Sequence, residues 1–416
     1  MMIENRRGLF AGGCLIALLA ISDTAPAQEE KDGLAALTLR GFGTLGVARS
    51  TNGQAEVARD LLQPRGISDH WSGKYDSNAG VQLNYLASDT VEAVVQAASR
   101  YNYKGNFAPE LTELLVKYDP NAYLSLRGGR IGTDFFMHGD SRLIGYSQLV
   151  VRPNIDYFSS LAVTYLDGAD GQVTFPLGDG LLRGKLYYGF LAEKLPFAGG
   201  YLDLRGSRSI GGYLDYQDGN WQWRGGMAQI SFKHPMPDTA GKVQSALLGT
   251  GVASAARAAH ALDLQGTDAR YYSVGAVYDR GPLLLQLMLS RLSYESEAVR
   301  DQDSAMFLAG YRIGEVKPFV GYSRVRSRRA HVASGLPDTG SGALINAALD
   351  SVLAQSYADQ HTVSLGLRWD FRRDMAFKVQ ADMIRGDADS VYMVRQETPR
   401  WNGRTNVFTL ALDFVF

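Results

Sequence analysis

Acid–base or nucleophilic chemistry needs a histidine, a nucleophile and an orienting group on one face. The chain offers six histidines for that purpose: His70, His138, His234, His260, His331 and His361. Most fall in stretches rich in turn-forming and charged residues. In His361-Thr362-Val363-Ser364 a base and a hydroxyl stand three residues apart, but on an extended chain that spacing sends them to opposite faces. A hydrolase is therefore a poor fit to these residues. His138 with Asp134 and Asp140 could hold an ion, yet no ligand spacing here is diagnostic of a metal. The expectation is a chain without metal or cofactor. Cys14 is the only cysteine and lies in the N-terminal segment, so once that segment is removed no disulfide or thiolate chemistry remains.

The elements that must position any functional group are strands. Charge is nearly balanced, 42 Lys+Arg against 43 Asp+Glu, which lacks the basic excess expected of a nucleic-acid binder. Mean hydropathy is slightly negative, as it is when lipid-facing apolar residues alternate with polar ones. Beyond the N-terminal segment no apolar run is long enough for a membrane helix, so membrane residence has to be as strands.

The chain repeats one unit: an alternating stretch, a tight polar turn, a second alternating stretch and a longer loop. The tight turns are 87–90, 119–121, 176–180, 218–220, 279–282, 313–315 and 372–374, each with the Gly, Pro, Asn or Asp chemistry of a hairpin. Seven hairpins, with a first and a last strand, make sixteen strands, and single-chain bacterial barrels have even counts. Alternation is clean in several stretches. Val363, Leu365, Leu367 and Trp369 oppose Thr362, Ser364, Gly366 and Arg368; Phe377, Val379, Ala381 and Met383 oppose Lys378, Gln380 and Asp382; Trp221 and Trp223 oppose Gln222 and Arg224. The fold class expected is all-β: a transmembrane antiparallel β-barrel.

The two ends agree. Arg6 and Arg7, an apolar run over 9–21 and Thr24-Ala25-Pro26-Ala27 before Gln28 read as a cleavable signal peptide, 1–27. That leaves 28–416 as the barrel domain, with no plug domain ahead of it. At the other end Phe408, Leu410, Leu412, Phe414 and Phe416 share one face, opposite Thr409, Ala411 and Asp413. This aromatic terminus resembles that of bacterial outer-membrane proteins, in which a final Phe serves as an assembly signal. The expected location is the outer membrane, reached through the periplasm, with its lipid as the first partner.

Long loops fall at 51–74, at 233–268 and at 330–359, the last with a short helix near 342–356. One loop differs. Between a strand over 123–130 and one near 171–175, about 132–168, lie Phe135, Phe136, Leu143, Ile144, Leu149, Val150 and Val151. A loop so apolar should be packed rather than exposed to water.

Here the chain resembles the Gram-negative general porins. Leu126-Arg127-Gly128-Gly129-Arg130 is similar to that family's Gly-Arg strand end, Leu166-Asp167-Gly168-Ala169 to its return from the third loop, and 37–47 to its opening strand. The resemblance implies a third loop folded into the barrel, acidic groups on it opposing wall arginines, a homotrimer, and passive diffusion of small polar solutes or ions. The second long loop, 101–110, stands where the family latches onto a neighbouring subunit. In a narrow passage of low dielectric such opposed charges create a transverse field.

The wall residues so implied are Arg40, Arg100, Arg127 and Arg130, with Lys117, Arg183 and Lys185 as helpers; the loop residues are Asp134, Asp140 and Asp156. Strict alternation turns Arg127 inward and leaves Arg130 with Leu124 and Leu126, whereas the family match favours Arg130; both stay open. Arg142, Arg152 and His138 dilute the loop's acidity, which tilts the expectation slightly toward anions. The alternative is a specific channel, for phosphate- or sulfate-like anions or for sugars sliding along Tyr101, Tyr103, Phe135, Phe136 and Tyr146.

Overall fold

A chain whose apolar and polar residues alternate can show one row to hydrocarbon and the other to a polar interior only with a period of two. A computed structural model describes residues 36–158, 163–197, 200–328, 332–388, 390, 394–396 and 401–416. The expected signal segment and His331 lie outside the described residues. Sixteen long strands follow one another: β1 (Leu37–Ser50), β2 (Asn78–Ser88), β3 (Val91–Arg100), β4 (Glu110–Asn121), β5 (Leu124–Gly132), β6 (Tyr165–Leu177), β7 (Gly180–Leu191), β8 (Arg208–Asp218), β9 (Trp221–Ser231), β10 (Asp268–Arg280), β11 (Leu283–Tyr294), β12 (Gln302–Tyr311), β13 (Val316–Ser327), β14 (Asp359–Arg372), β15 (Met375–Gly386) and β16 (Arg404–Val415).

Each strand pairs antiparallel with the next, and β16 returns to β1 with Phe42 opposite Val415 and Ser50 opposite Val407. Closure leaves no open edge, the condition for backbone polar groups to survive in hydrocarbon. The seven expected turns join β2 to β3, β4 to β5 and so on to β14 and β15. Gly219 (φ 52°) and Gly281 (φ 59°) occupy the left-handed region that two of these turns demand.

The two rows separate as alternation requires. Leu365, Val379, Phe408 and Leu410 are exposed, while Ser364, Lys378, Gln380, Asp382, Thr409 and Asp413 are buried. Leu186 on β7 is 75% exposed beside exposed Ile210, Leu214, Met227 and Val274, a continuous apolar surface of the kind that faces lipid. Aromatic clusters mark the short-turn end: Trp221 stacks on Trp223 at 5.0 Å, Tyr123 on Phe175 at 6.2 Å, and Trp369 lies 5.4 Å from Phe371.

The longer connections carry the remaining structure. Short ladders pair Ala55–Val57 with Val394–Gln396 and Lys194–Phe197 with Gly200–Asp203. Four α-helices are present among the described residues: α1 (Ile155–Phe158), α2 (Asp238–Gly249), α3 (Ala253–Ala261) and α4 (Gly340–Ala354). α4 sits close to the expected 342–356, but α2 and α3 were not expected. Alanine-rich runs are good helix formers once their small faces can pack, and Ala255, Ala258 and Ala259 are buried in one cluster with Leu247 and Val352.

The third loop is also shorter than expected. β5 runs to Gly132 and β6 starts at Tyr165, so Leu166-Asp167-Gly168-Ala169 is strand, in register with Gly128 to Ile131. The main apolar cluster joins this loop's Phe135, Phe136, Met137, Tyr157 and Phe158 to Tyr187, Tyr271 and Met288, on the strand faces opposite the exposed rows.

Candidate functional site

The segment between β5 and β6 is held at two stations. At the first, Phe135 lies 5.2 Å from the Tyr187 ring and Phe136 6.1 Å from Tyr271, while Ser273 donates to the Phe135 carbonyl. Burying such a side chain contributes about 1.5–3 kcal/mol. A tight turn follows, in which His138 has φ 62° and Gly139 N–H donates to Phe136. At the second station the wall serves the loop's backbone, since buried carbonyls need donors. Lys378 Nζ donates to the carbonyls of Gly145, Gln148 and Val150 at 2.8, 2.6 and 2.9 Å, and Arg368 to those of Tyr146 and Gln148. Gln380 accepts from Val151 N–H at 2.8 Å. Arg368, Lys378 and Gln380 all sit on the buried row of β14 and β15, so the loop lies against that row.

Between the first station and the facing wall is a cavity of about 490 Å³. It extends from the β4–β5 turn, at Asn121 to Tyr123, up to Gly132, Asp134 and Asp140 of the loop. Five cations line it, Lys117, Arg127, Arg183, Lys185 and Arg224, together with five carboxylates, Glu113, Asp119, Asp134, Asp140 and Asp170.

Strand register dictates the pairings, because residues directly opposite on neighbouring strands have Cβ atoms about 5 Å apart. Arg127 on β5 is opposite Asp170 on β6 and binds it with both prongs, Nε to Oδ1 at 3.0 Å and Nη2 to Oδ2 at 2.5 Å. Asp215 on β8 is opposite both Arg183 and Arg224, at 3.9 and 3.0 Å. Lys185 bridges wall and loop, 2.8 Å from Asp134 and 3.1 Å from Asp170. Arg224 also lies 4.1 Å over the Tyr213 ring.

On the other side of the loop Arg59, Arg100 and Arg142 line a small cavity of about 30 Å³ with Asp60, Leu62, Leu143, Pro153 and Phe158. Arg100 is 3.6 Å from Glu193, 3.8 Å from Glu110 and 3.9 Å from Asp60. Burial pulls the Arg142 pKa down to about 10, with Glu193 opposing that shift and Arg100 adding to it; its guanidinium is therefore still charged at neutral pH.

Of the residues singled out from sequence, the structure gathers Arg127, Asp134 and Asp140 in the larger cavity, and Arg100 with Arg142 in the smaller. Four lie elsewhere. Arg40 is exposed at the short-turn end of β1, opposite Gln82 and three residues from the β1–β2 pair Leu37–Tyr85. Arg130 shares the outer face with Leu126, as strict alternation has it; Asp167 holds it at 2.7 Å and the Tyr165 ring lies 4.5 Å away. β5 keeps its parity through Gly129, so the family match at Arg130 fails. Arg152 is consumed by Asp76 at 2.9 Å and Asp382 at 2.8 Å, with Thr409 a third partner. Asp156 is fully buried, accepting from Ser323 at 2.6 Å and Gln360 at 2.9 Å. The aromatic slide is not assembled either: Phe135 and Phe136 are core, Tyr101 packs on Tyr75, and Tyr146 packs against Arg368.

Sequence reasoning missed Glu113, Asp119, Asp170, Arg59, Asp60 and Arg224 as lining groups. Parity held the signal for Arg224, which opposes Trp223, and for Asp170, which opposes Val173 and Phe175 on β6. Arg59 lies in a long loop, where no periodicity points.

With the geometry in place, comparison with solved structures identifies what the chain is similar to. OmpF of Salmonella typhi, in a complex with daunomycin, matches with a TM-score of 0.55 at 10% identity, over 91% of this chain and 97% of that one. The outer membrane channel DcaP of Acinetobacter baumannii matches at 0.54 and 12% identity, over 94% and 100%. An anion-selective porin from Comamonas acidovorans matches at 0.53 and 15% identity, over 92% and 100%. No family model and no curated protein sequence matches the chain. At these identities the likeness is one of fold: the chain is a sixteen-stranded antiparallel barrel of the bacterial outer-membrane kind, built like porins and channels.

Proposed function

We propose that this barrel is an outer-membrane channel through which small hydrophilic solutes and ions diffuse passively, narrowed where the loop between β5 and β6 folds inward against the wall of β4–β9. The carrying observation is the cavity in which Asp134 and Asp140 of the loop face Arg127, Lys185 and Arg224 of the wall. Opposed charges of this kind suit the orientation of water and polar solutes rather than bond making. At 4 Å a unit charge acts with about 4 kcal/mol at an effective dielectric of about 20, against about 1 kcal/mol in bulk water. Charges inside the passage therefore outweigh those outside it.

Five cations against five carboxylates predict weak selectivity in the narrow part. Arg59, Arg100 and Arg142 gather on the long-loop side, but Asp60, Asp76, Glu110 and Glu193 lie near them, so any anion preference is modest. In this reading the chain forms a homotrimer through the apolar outer rows of β1–β5 and β16, acts without turnover and needs no cofactor.

The test is single-channel conductance of the folded barrel in a planar bilayer under a salt gradient. Open steps in groups of three with a small reversal potential of the anion-selective sign are expected. Folded barrels that pass no current would overturn the open-channel reading.

A further inference from the structure

On β13–β16 the apolar outer rows end, at the long-loop side, in a row of cations. Register places Arg324 opposite His361, His361 opposite Arg385 and Arg385 opposite Arg404, one residue on each of four adjacent strands. Their parity is that of Val320, Leu365, Val379 and Phe408, all exposed, so the row stands on the outer surface. Arg326 lies two residues further along β13 on the same face.

Its height is informative. Trp369, in the aromatic cluster at the far end of β14, is eight residues from His361. At about 3.3 Å per residue and a tilt of about 40° that is about 20 Å along the membrane normal, close to the about 25 Å of an apolar band. The row thus sits where hydrocarbon gives way to headgroups.

Elsewhere on the barrel several outward cations at this level are matched, Arg130 by Asp167 at 2.7 Å, Arg270 by Glu295 at 2.8 Å and Arg291 by Asp303 at 3.9 Å; Arg208 on β8, without a side-chain partner among the described residues, is a single cation rather than one of a row. On β13–β16 the match is incomplete. Arg324 reaches Asp359 at 3.1 Å. Arg385 donates to the carbonyls of Ile384 and Thr405 and to the Asn406 side chain, all uncharged acceptors. Asp387 accepts from Tyr357. The guanidinium groups of Arg326 and Arg404 make no hydrogen bond or ion pair among the described residues.

We propose that this row seats the headgroup of an outer-leaflet lipid that carries phosphate groups, with its acyl chains lying down the apolar rows of β13–β16. Guanidinium forks bind phosphate oxygens in bidentate fashion, and several arginines in one row hold more than one such group. A membrane lipid joins an anionic head to apolar chains at the required height. Val320, Val363, Leu365, Met383, Val379 and Phe408 offer those chains a continuous path below the row. The assignment concerns the outer surface and stands whether or not the barrel conducts.

The experiment is native mass spectrometry of the full folded barrel in neutral detergent, mixed with equimolar phosphatidic acid and phosphatidylcholine of identical chains. Retention of phosphatidic acid at least tenfold above phosphatidylcholine is expected. The triple variant Arg324→Gln/Arg385→Gln/Arg404→Gln should bring the two near parity, triple substitution to Lys should keep most of the preference, and Arg270→Gln should leave it unchanged. Should the triple Gln variant fail to fold, Arg404→Gln, which removes no side-chain hydrogen bond or ion pair among the described residues, carries the test with about a threefold loss expected. Equal retention of the two lipids by the unsubstituted chain, or an unchanged preference in the triple Gln variant, overturns the proposal. So does displacement of the lipid by millimolar inorganic phosphate, which would reassign the row to a soluble anion.

Discussion

The two halves of the loop between β5 and β6 have similar composition and opposite fates. Residues 133–140 keep Asp134 and Asp140 at the edge of the 490 Å³ cavity, where Lys185 reaches across from the wall. Residues 145–158 place Arg152 and Asp156 wholly within partners drawn from β13–β16 and from Asp76. The difference teaches that a charge can serve a solute only if its partners leave it at the edge of the cavity, as Lys185 leaves Asp134, rather than sealed away from it. The second half fastens the loop so that the first half can hold its position.

That comparison can be broken at several points. Arg152→Ala should have the largest effect, because it takes the cation from buried Asp382 and leaves buried Asp76 to Arg59 at 3.7 Å; about 3–5 kcal/mol is expected, read as a lowered denaturant midpoint, together with larger and noisier conductance as the loop loosens. A midpoint within experimental error of the unsubstituted chain would show that the second half is not the anchor. Asp156→Ala removes two hydrogen bonds and leaves the Ser323 hydroxyl and the Gln360 amide N–H without their acceptor, a loss of about 1–3 kcal/mol in the same measurement. Neither change should reverse the sign of ion selectivity.

Substitutions in the first half sharpen the comparison from the other side. Arg127→Ala takes one cation from a balanced lining and leaves Asp170 to Lys185 alone, so the reversal potential should move toward cations with the fold intact. Asp140→Asn should move it the other way by less, with stability changed by at most about 0.5 kcal/mol, as for an exposed side chain with no hydrogen bond or ion pair among the described residues. Arg130→Ala, on the outer face, should leave the reversal potential where it was. A shift there as large as that of Arg127→Ala would mean that the faces of β5 have been assigned the wrong way round.

Much of the fold was legible because a strand's period of two is a local property. The seven turns, the sixteen strands, and the burial of Lys378, Gln380 and Asp382 beneath exposed Val379 all follow from neighbours in sequence. Arg127 was legible by the same parity, which also placed Arg130 outside against the family match. α2 and α3 escaped because alanine- and serine-rich runs carry little periodicity, and their helicity rests on packing against each other and α4. Arg152 and Asp156 were misread because their partners Asp76, Asp382, Thr409, Ser323 and Gln360 lie far away along the chain.

What the sequence determined by itself was therefore the barrel, its strand count and which side of each strand meets lipid, since these depend on alternation and turn chemistry within a dozen residues. Only the tertiary structure decided which charges remain free to act on a solute. That depends on which strand lies opposite and at what register, and the closure of β16 onto β1 sets both for residues hundreds of positions apart.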